Sequence, residues 1–538
     1  MCPRSHTFPV IWVIDSCLAG WNKLVPRRKC PPARPVQSLC VSDFSTPRIV
    51  ITSLIQPQTN LSDHRSTAHP SGQTGSMKKH VLFTLLIFIL LSVKARVSAQ
   101  EVSSQHQHGV DSSAPGQSSV QMQADGMDDM PGMHHGAHQE PANFIEEILH
   151  HSTSGTSAQP NSTVEPMIMV QKDNWLFMFH GEVFINALQQ SGPRGYDKFF
   201  STNWFMPMAQ RRFGRSQLTL RTMLSLEPAT VTSRFYSLLF QQGETAFGKP
   251  INDGQHPHDF FMELAALYDV RLGEHALLSF YAAPVGDPAM GPSAYAHRAS
   301  ASENPVASLG HHLQDSTHIA DDVLTGGLAY KSARIEFSGF HGREPDEFRW
   351  NIDTGAIDSW STRLTVQPGQ NWSGQYSFAH LTSPEQLHPE EGVQRMTASV
   401  MYNRPLKRGS WASTLLWGRN HVVQTGQVFN GYLAESTLRF ADSNHVWGRI
   451  ENVDRTNELL LGKQAEPPGF EEEFLARIQA YTAGYDHDFH LIPGLATALG
   501  GQVTLYSQPA FLNPIYGDHP AGVILFVRIR PIGTDHHH

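Results

Sequence analysis

The chain has 538 residues with 40 Lys and Arg, 49 Asp and Glu, and a formal charge of −9 at neutral pH. This acidic balance argues against a nucleic-acid-binding protein, because phosphate contacts need Lys and Arg. All four cysteines lie before residue 77, at Cys2, Cys17, Cys30 and Cys40. A protein that starts at Met77 therefore has no disulfide framework and no thiolate metal site.

Residues 77–99 have the pattern of a secretory signal peptide. Lys78 and Lys79 precede the apolar run 81–93, and small residues up to Ala99 form a cleavage site. We therefore expect residues 1–76 to be a disordered upstream leader outside the exported protein. The alternative is a genuine extension with a membrane anchor at 80–93, although that run is short for a spanning helix, which needs about 20 residues.

The charge changes when these segments are removed. Of the 40 basic and 49 acidic residues, 12 basic and three acidic ones lie before residue 100. This leaves 28 basic and 46 acidic residues in 100–538, a formal charge of −18. Such a balance suits an exported protein that handles cations.

Residues 100–165 lack lasting apolar periodicity, which predicts a disordered tail rich in Met and His. The candidate metal ligands of this tail are Met122, Met127, Met130, Met133, His134, His135 and His138. Thioethers favour Cu(I) and imidazoles bind Cu(II) or Zn(II), so copper is the expected metal. The alternative is a His-rich solubilising linker with chance methionines.

A short amphipathic helix is predicted near 142–151, within this tail. Phe144, Ile145, Ile148 and Leu149 would share one side of it. The helix would either plug the periplasmic mouth of the domain that follows or form only transiently in a linker. The sequence slightly favours the transient helix.

Residues 166–531 repeat segments of about ten residues in which apolar and polar side chains alternate, the length of a tilted membrane-spanning strand. Alternation gives each strand one apolar and one polar face. Strands are predicted near 174–187, 199–211, 216–226, 260–270, 275–283, 323–331, 333–341, 360–366, 372–378, 394–403, 410–420, 432–441, 444–453, 474–480, 495–506 and 523–530.

A soluble sandwich would also alternate, but aromatic residues near strand ends and the alternation of tight and long connections favour a membrane barrel. We predict an all-β, transmembrane, antiparallel up-and-down β-barrel of about 16 strands, with 14 to 18 allowed. The barrel would span 166–531, and 532–538 would be a C-terminal tail with a His run of unknown origin.

Two histidine clusters lie within the barrel region. His256 and His258 are two residues apart, and one extended strand would let both chelate a cation with Asp253 or Asp259 nearby. The long connection 284–322 carries the second cluster, which consists of His311, His312 and His318, with His297 upstream. One shared site inside the barrel is conceivable. The alternative is polar turns and loops facing water.

Two resemblances follow from these motifs. The signal peptide and the Met-x-x-Met-x-x-Met-His-His tail resemble the outer-membrane copper-resistance protein B family, and this resemblance implies copper handling. The barrel phrases 199–212, 253–259 and 342–347 look like a widespread, uncharacterised family of Gram-negative exported proteins, which implies no activity.

We therefore expect an outer-membrane β-barrel that binds, exports or confers resistance to copper or another soft metal. Its partners would be outer-membrane lipid, metal ions and periplasmic copper-handling proteins, with no nucleic acid and no organic cofactor. The main alternative is a general or solute-specific porin with an incidental His-rich tail. A lipid hydrolase is a remote alternative, since no residue spacing singles out a catalytic group and no enzymatic activity is expected.

Overall fold

The computed structural model describes residues 141–462, 465–466, 468 and 475–532. The predicted leader 1–76, the signal peptide 77–99, the C-terminal His run and all seven candidate ligands between Met122 and His138 lie outside these residues. Among the helices of the described residues, none is long and apolar enough to cross a membrane.

Strands dominate the described chain. In chain order they are β1 (Ile168–Lys172), β2 (Trp175–Gln190), β3 (Lys198–Phe213), β4 (Ser216–Leu224), β5 (Tyr236–Ala246), β6 (Lys249–Gln255), β7 (Phe261–Arg271), β8 (Ala276–Gly286), β9 (Ala320–Tyr330), β10 (Ala333–His341), β11 (Ser359–Gly369), β12 (Trp372–Thr382), β13 (Gly392–Leu406), β14 (Gly409–Val422), β15 (Val428–Phe440), β16 (Asn444–Thr456), β17 (Leu475–Ile492), β18 (Leu495–Ser507) and β19 (Ala521–Pro531).

The helices are short. They are α1 (Phe144–His150), α2 (Glu227–Thr230), α3 (His311–Gln314), α4 (Asn457–Leu461) and α5 (Asn513–Tyr516), with single 3-10 turns at Thr232–Arg234, Tyr295–His297, Ser316–His318 and Ala510–Leu512.

Sixteen of the strands close into a ring. Each of β2, β3, β4 and β7 to β19 pairs antiparallel with its neighbours in chain order, with β4 joining β7. The last strand then pairs with the first, in the register Gly522 with Gln190 and Ile529 with Val183. The prediction of a 16-stranded antiparallel up-and-down barrel is confirmed, and all 16 predicted segments coincide with wall strands.

The outer face of the ring is apolar. Leu415, Leu525 and Ile335 are 63%, 63% and 57% exposed, and aromatic side chains such as Trp360 and Trp411 lie on the same surface. Water would penalise so large an exposed apolar area, whereas lipid would not. A closed ring also leaves no strand edge unpaired in hydrocarbon. The protein is a transmembrane β-barrel.

The inner face of the ring is polar but buried. Arg221, Arg363, Arg395 and Arg528 point inward and are at most 2% exposed. A water-filled lumen would leave these side chains accessible. Protein therefore fills the lumen of the described barrel.

Three segments fill the lumen: the N-terminal plug (141–167), the inner hairpin (236–255, which contains β5 and β6) and the inner loop (287–319). The hairpin belongs to the long connection between β4 and β7, and the inner loop joins β8 to β9. Both therefore enter from the end that carries the long connections. The plug enters from the opposite end, where the turns are short and β2 begins.

The plug begins with the predicted helix. Asn143 caps α1 by accepting hydrogen bonds from the backbone N–H groups of Ile145 and Glu146, at 3.0 and 3.2 Å. The apolar side of α1, including Phe144, packs on Leu277 and Ala329 at the short-turn end of β8 and β9. The preference for a transient linker helix was wrong, because the barrel wall buries the apolar side. Residues 141–165, assigned to the tail, lie inside the barrel.

Candidate metal centre

The inner segments bring all five histidines predicted within the barrel together. They are His256, His258, His311, His312 and His318, named here the histidine cluster. Ring centroids lie 5.3 Å apart for His256 and His312, 5.4 Å for His258 and His318, and 5.2 Å for His311 and His318. The two clusters that the sequence leaves separate therefore form one group between the inner hairpin and the inner loop.

Within this group, Glu244, His256 and His312 form a compact triplet, named here the outer histidine site. One ligand atom from each residue lies within 4.8 Å of the others. His256 Nε2 lies 2.8 Å from Glu244 Oε1. Both ring nitrogens of His312 are buried without a hydrogen-bond partner among the described residues, and Glu344 Oε2 lies 4.0 Å from His312 Nδ1.

Neighbouring groups orient the ligands. His256 Nδ1 lies 3.1 Å from the carbonyl oxygen of Pro257, which accepts an N–H from it, and a metal ion bound at Nε2 would take the place of a proton facing Glu244. Arg349 forms an ion pair with Glu244 and, at 3.1 Å, with Asp259. These contacts fix the positions of the carboxylate and of one imidazole before any ion arrives.

The local backbone makes room for His312. Gly243 has φ of +134°, and an ideal Cβ at this position would lie 2.8 Å from the Cε1 and Nδ1 atoms of the His312 ring. Helix α3, which carries His312, lies against β14 at Gly418, where a Cβ would meet the Leu313 carbonyl oxygen. The absence of a side chain at Gly243 and at Gly418 therefore sets the position of the His312 ring.

Burial and charge favour the protonation states that a metal needs. Burial, and then the neighbouring His256, hold the pKa of His312 well below its ordinary value. Burial raises the pKa of Glu244, but the Arg349 guanidinium and His256 outweigh it and hold that pKa below its ordinary value. At neutral pH the site thus offers neutral imidazole and ionised carboxylate, as metal coordination requires.

The expected pairing of His256 with His258 is wrong. Strand β6 ends at Gln255, so the two histidines do not share the face of one extended strand. His258 instead bonds to Glu227, with Nδ1 3.0 Å from Oε1. The acids expected nearby are engaged elsewhere, Asp253 with Arg194 and Asp259 with Arg349.

His311 and His318 surround the triplet rather than belong to it. His311 Nδ1 lies 2.6 Å from Asp315 Oδ1, and His318 Nδ1 lies 2.7 Å from the Asp315 carbonyl oxygen. These bonds tie the turn after α3 together. His318 Nε2 is buried without a partner among the described residues.

Sequence reasoning missed Glu244 and Glu344. Glu244 lies in an irregular hairpin, with a left-handed φ of 60°, where no alternation marks a strand. Glu344 lies in the connection after β10, within residues 342–347. In the sequence these residues indicate only a resemblance to an uncharacterised family. That phrase was the available signal.

A second group of possible ligand atoms joins Glu303, His445 and Asp486 within 4.8 Å. Two arginines enter it: Arg528 lies 3.3 Å from Asp486, and Arg530 lies 3.0 Å from Glu303. Two guanidinium groups enter this group, against one at the outer histidine site, so we interpret it as a buried ion-pair network.

Comparison with solved structures finds outer-membrane channels. An anion-selective porin from Comamonas acidovorans is 9% identical, with 66% of this chain and 99% of that chain covered and a TM-score of 0.42. OmpF from Salmonella typhi, in complex with daunomycin, is 9% identical (67% and 100% covered, TM-score 0.40). The outer membrane channel DcaP of Acinetobacter baumannii is 8% identical (67% and 98% covered, TM-score 0.38).

No family model matches the chain, and no curated protein matches it. Both resemblances drawn from the sequence, to copper-resistance protein B and to the uncharacterised exported family, stay predictions. The barrel assignment rests on the closed ring of strand pairs in this chain.

Proposed function

We propose that this protein is an outer-membrane β-barrel that binds a divalent transition-metal ion in its lumen, at the outer histidine site. The observation that carries the proposal is the triplet of Glu244, His256 and His312, in which both ring nitrogens of His312 are buried and unpartnered among the described residues. A carboxylate with two imidazoles suits Zn(II), Cu(II), Ni(II) or Fe(II) better than Ca(II) or Mg(II). Copper, the metal expected from the sequence, belongs to this set.

The Met/His-rich tail would supply the ion from the periplasm in this proposal. Both chain ends of the barrel lie at the short-turn end, where β2 begins and β19 finishes. Short turns face the periplasm in bacterial outer-membrane barrels. A tail attached at residue 141 would then sample the periplasm, where copper-handling partners are expected.

Calorimetric titration of the full-length chain tests the proposal. The seven tail ligands are first replaced by alanine, together with His106, His108, the four cysteines and the His run 536–538, which would otherwise also bind these ions. With Zn(II) or Cu(II) we expect about one ion per chain, and His312→Asn should weaken binding by about tenfold or more. His421→Asn, on β14 outside the cluster, is the matched control and should bind normally. Equal affinity in both variants contradicts the proposal.

A second candidate function is a gated solute channel. The observation in its favour is the ring itself, because 16-stranded rings are wide enough for an aqueous pore when the interior is empty. Here separate chain segments, rather than wall side chains, occupy that space. Planar-bilayer recordings would show whether displacement of the plug opens a conducting path. The absence of enzymatic activity stays a prediction.

A further inference from the structure

A second set of ligand-type side chains lies on the lumenal wall of β2, β3 and β4. His180 on β2 and Met206 on β3 are direct cross-strand partners, and such pairs hold their Cβ atoms about 4.5–5.5 Å apart. Met223 on β4 packs in the same buried cluster as Met206. All three side chains are at most 1% exposed. Two thioethers and an imidazole thus share one patch of the wall.

His297 from the inner loop completes this patch. Its Nε2 lies 3.1 Å from the Sδ of Met223, and its ring centroid lies 5.6 Å from that of His180. Nδ1 of His297 and Nε2 of His180 are buried without hydrogen-bond partners among the described residues. Unpartnered buried nitrogens are costly, so one on each of two neighbouring imidazole rings requires an explanation.

An aromatic face covers the same patch. The Trp204 ring lies 4.4 Å from the His297 ring and 4.9 Å from the His180 ring, centroid to centroid. A cation held between the imidazoles would lie within the range, about 6 Å, over which an indole face attracts positive charge. Trp204 would therefore stabilise a bound ion without coordinating it.

Methionines continue from the patch towards the short-turn end. Met178 and Met208 form the next cross-strand pair on β2 and β3, and Met167 from the plug packs in the same cluster. Methionine often fills irregular cores and alone indicates no ligand. The two histidines with open nitrogens distinguish this patch from a core.

We propose that His180, Met206, Met223 and His297 bind a soft monovalent cation, Cu(I) or Ag(I), with Trp204 over it. Thioether sulfur and neutral imidazole prefer soft cations, and this set brings no negative charge that a divalent ion would need. Burial, and then the neighbouring His180, hold the pKa of His297 well below its ordinary value, so its ring is neutral at neutral pH. The site shares no residue with the outer histidine site and does not depend on it.

Anaerobic Cu(I) titration against a competing chelator tests this proposal. The protein is the full-length chain with the same substitutions as above, because cysteine thiolates would otherwise bind Cu(I) and supply sulfur. Met223→Leu nearly keeps the side-chain volume and removes the sulfur, so the variant barrel should still fold. We expect Cu(I) affinity to fall by about tenfold or more, while divalent binding at the outer histidine site stays unchanged. Met401→Leu, a buried methionine on β13, is the matched control.

X-ray absorption at the copper edge gives a second measurement that does not depend on a variant. We expect sulfur among the nearest neighbours of Cu(I) in the tail-substituted chain, and less sulfur in Met223→Leu. A nearest shell of nitrogen or oxygen alone, or equal Cu(I) affinity in the Met223 and Met401 variants, would overturn the proposal. Loss of divalent binding with intact Cu(I) binding in His312→Asn would separate the two sites.

Discussion

The imidazole rings of His256 and His312 lie 5.3 Å apart, centroid to centroid, although they lie on different connections between wall strands. His256 follows the inner hairpin, and His312 lies on α3 of the inner loop. A metal bound by both rings would therefore join the two segments that enter the lumen from the long-loop end. Metal binding and the packing of the two inner segments should therefore be linked.

Gly243→Ala should weaken divalent binding without removing a ligand. A Cβ at this position would meet the His312 ring at 2.8 Å, so the ring must shift from its place in the triplet. We expect an affinity loss of about tenfold or more in calorimetry. Gly248→Ala is the matched control, because Gly248 also has positive φ and its Cβ would meet nothing within 4 Å. Equal affinities in the two variants would show that the His312 position does not matter.

Arg221→Met should strongly destabilise the barrel. Arg221 binds Glu263 through two nitrogens, at 2.7 and 2.8 Å, and donates to the His151 carbonyl oxygen of the plug at 3.0 Å. Removing one partner of a buried pair leaves an uncompensated charge and costs about 3–5 kcal/mol. Urea unfolding in detergent measures the loss.

The control for this change is Arg408→Ala. Arg408, on the turn between β13 and β14, pairs at 2.7 Å with Asp442, on the turn between β15 and β16, and both side chains are more than half exposed. Solvent screens such pairs, so its loss should shift the unfolding midpoint little. Similar shifts for both variants would mean that the Arg221 pair does not anchor the plug.

Ile148→Asp should raise ion conductance. Ile148 lies on the buried side of α1, which packs on Leu277 and Ala329. A charge there favours release of the helix into water. Planar-bilayer recordings should show more frequent or larger openings than with Ala142→Asp, a change at an exposed position beside α1. If both variants are equally silent, α1 does not close a pore.

His318 should make the protein less stable in acid. Burial, and then the neighbouring His311, lower the pKa of His318 from 6.5 to about 3. The unfolded chain therefore takes up a proton below about pH 6.5 that the folded chain refuses, so stability falls as pH drops from 6.5 towards 3. One such group costs about 1.4 kcal/mol per pH unit in this window.

His318→Asn removes this titration. Between pH 6 and 4, the variant should lose less unfolding free energy than the native chain. This range lies between the pKa values of His318 in the folded and unfolded chain. Urea titrations at several pH values measure it. Parallel pH profiles for the two chains would show that His318 keeps an ordinary pKa.

The wall of the barrel was predictable because its physics is local. Each wall strand faces lipid on one side and protein on the other, so every second side chain is apolar. Trp360 and Leu364 on β11 show this, exposed outward while Ser361 and Arg363 are buried. The inner hairpin has no such two-sided environment. With positive φ at Phe240, Glu244 and Asp253, it follows no period that a sequence displays.

The candidate site was half predictable. Histidines at 256 and 312 stand out by residue type, but their meeting depends on two long connections folding inward. Glu244 is one of many acidic residues in the sequence. Its place in the site depends on the ion pair with Arg349 and on the space that Gly243 leaves for the His312 ring. The second patch could not be predicted, because His180, Met206 and Met223 lie on three different strands. Each occupies one lumen-facing position in an ordinary alternating pattern.

Anomalous diffraction from crystals of the full-length chain soaked in Zn(II) tests the central claim most directly. The account predicts a zinc peak in the lumen with nitrogen ligands from His256 and His312 and an oxygen ligand from Glu244, at about 2.0–2.2 Å. The peak should vanish in His312→Asn crystals grown and soaked identically. A lumen without a zinc peak, or a peak that persists in the variant, would contradict metal binding at this site.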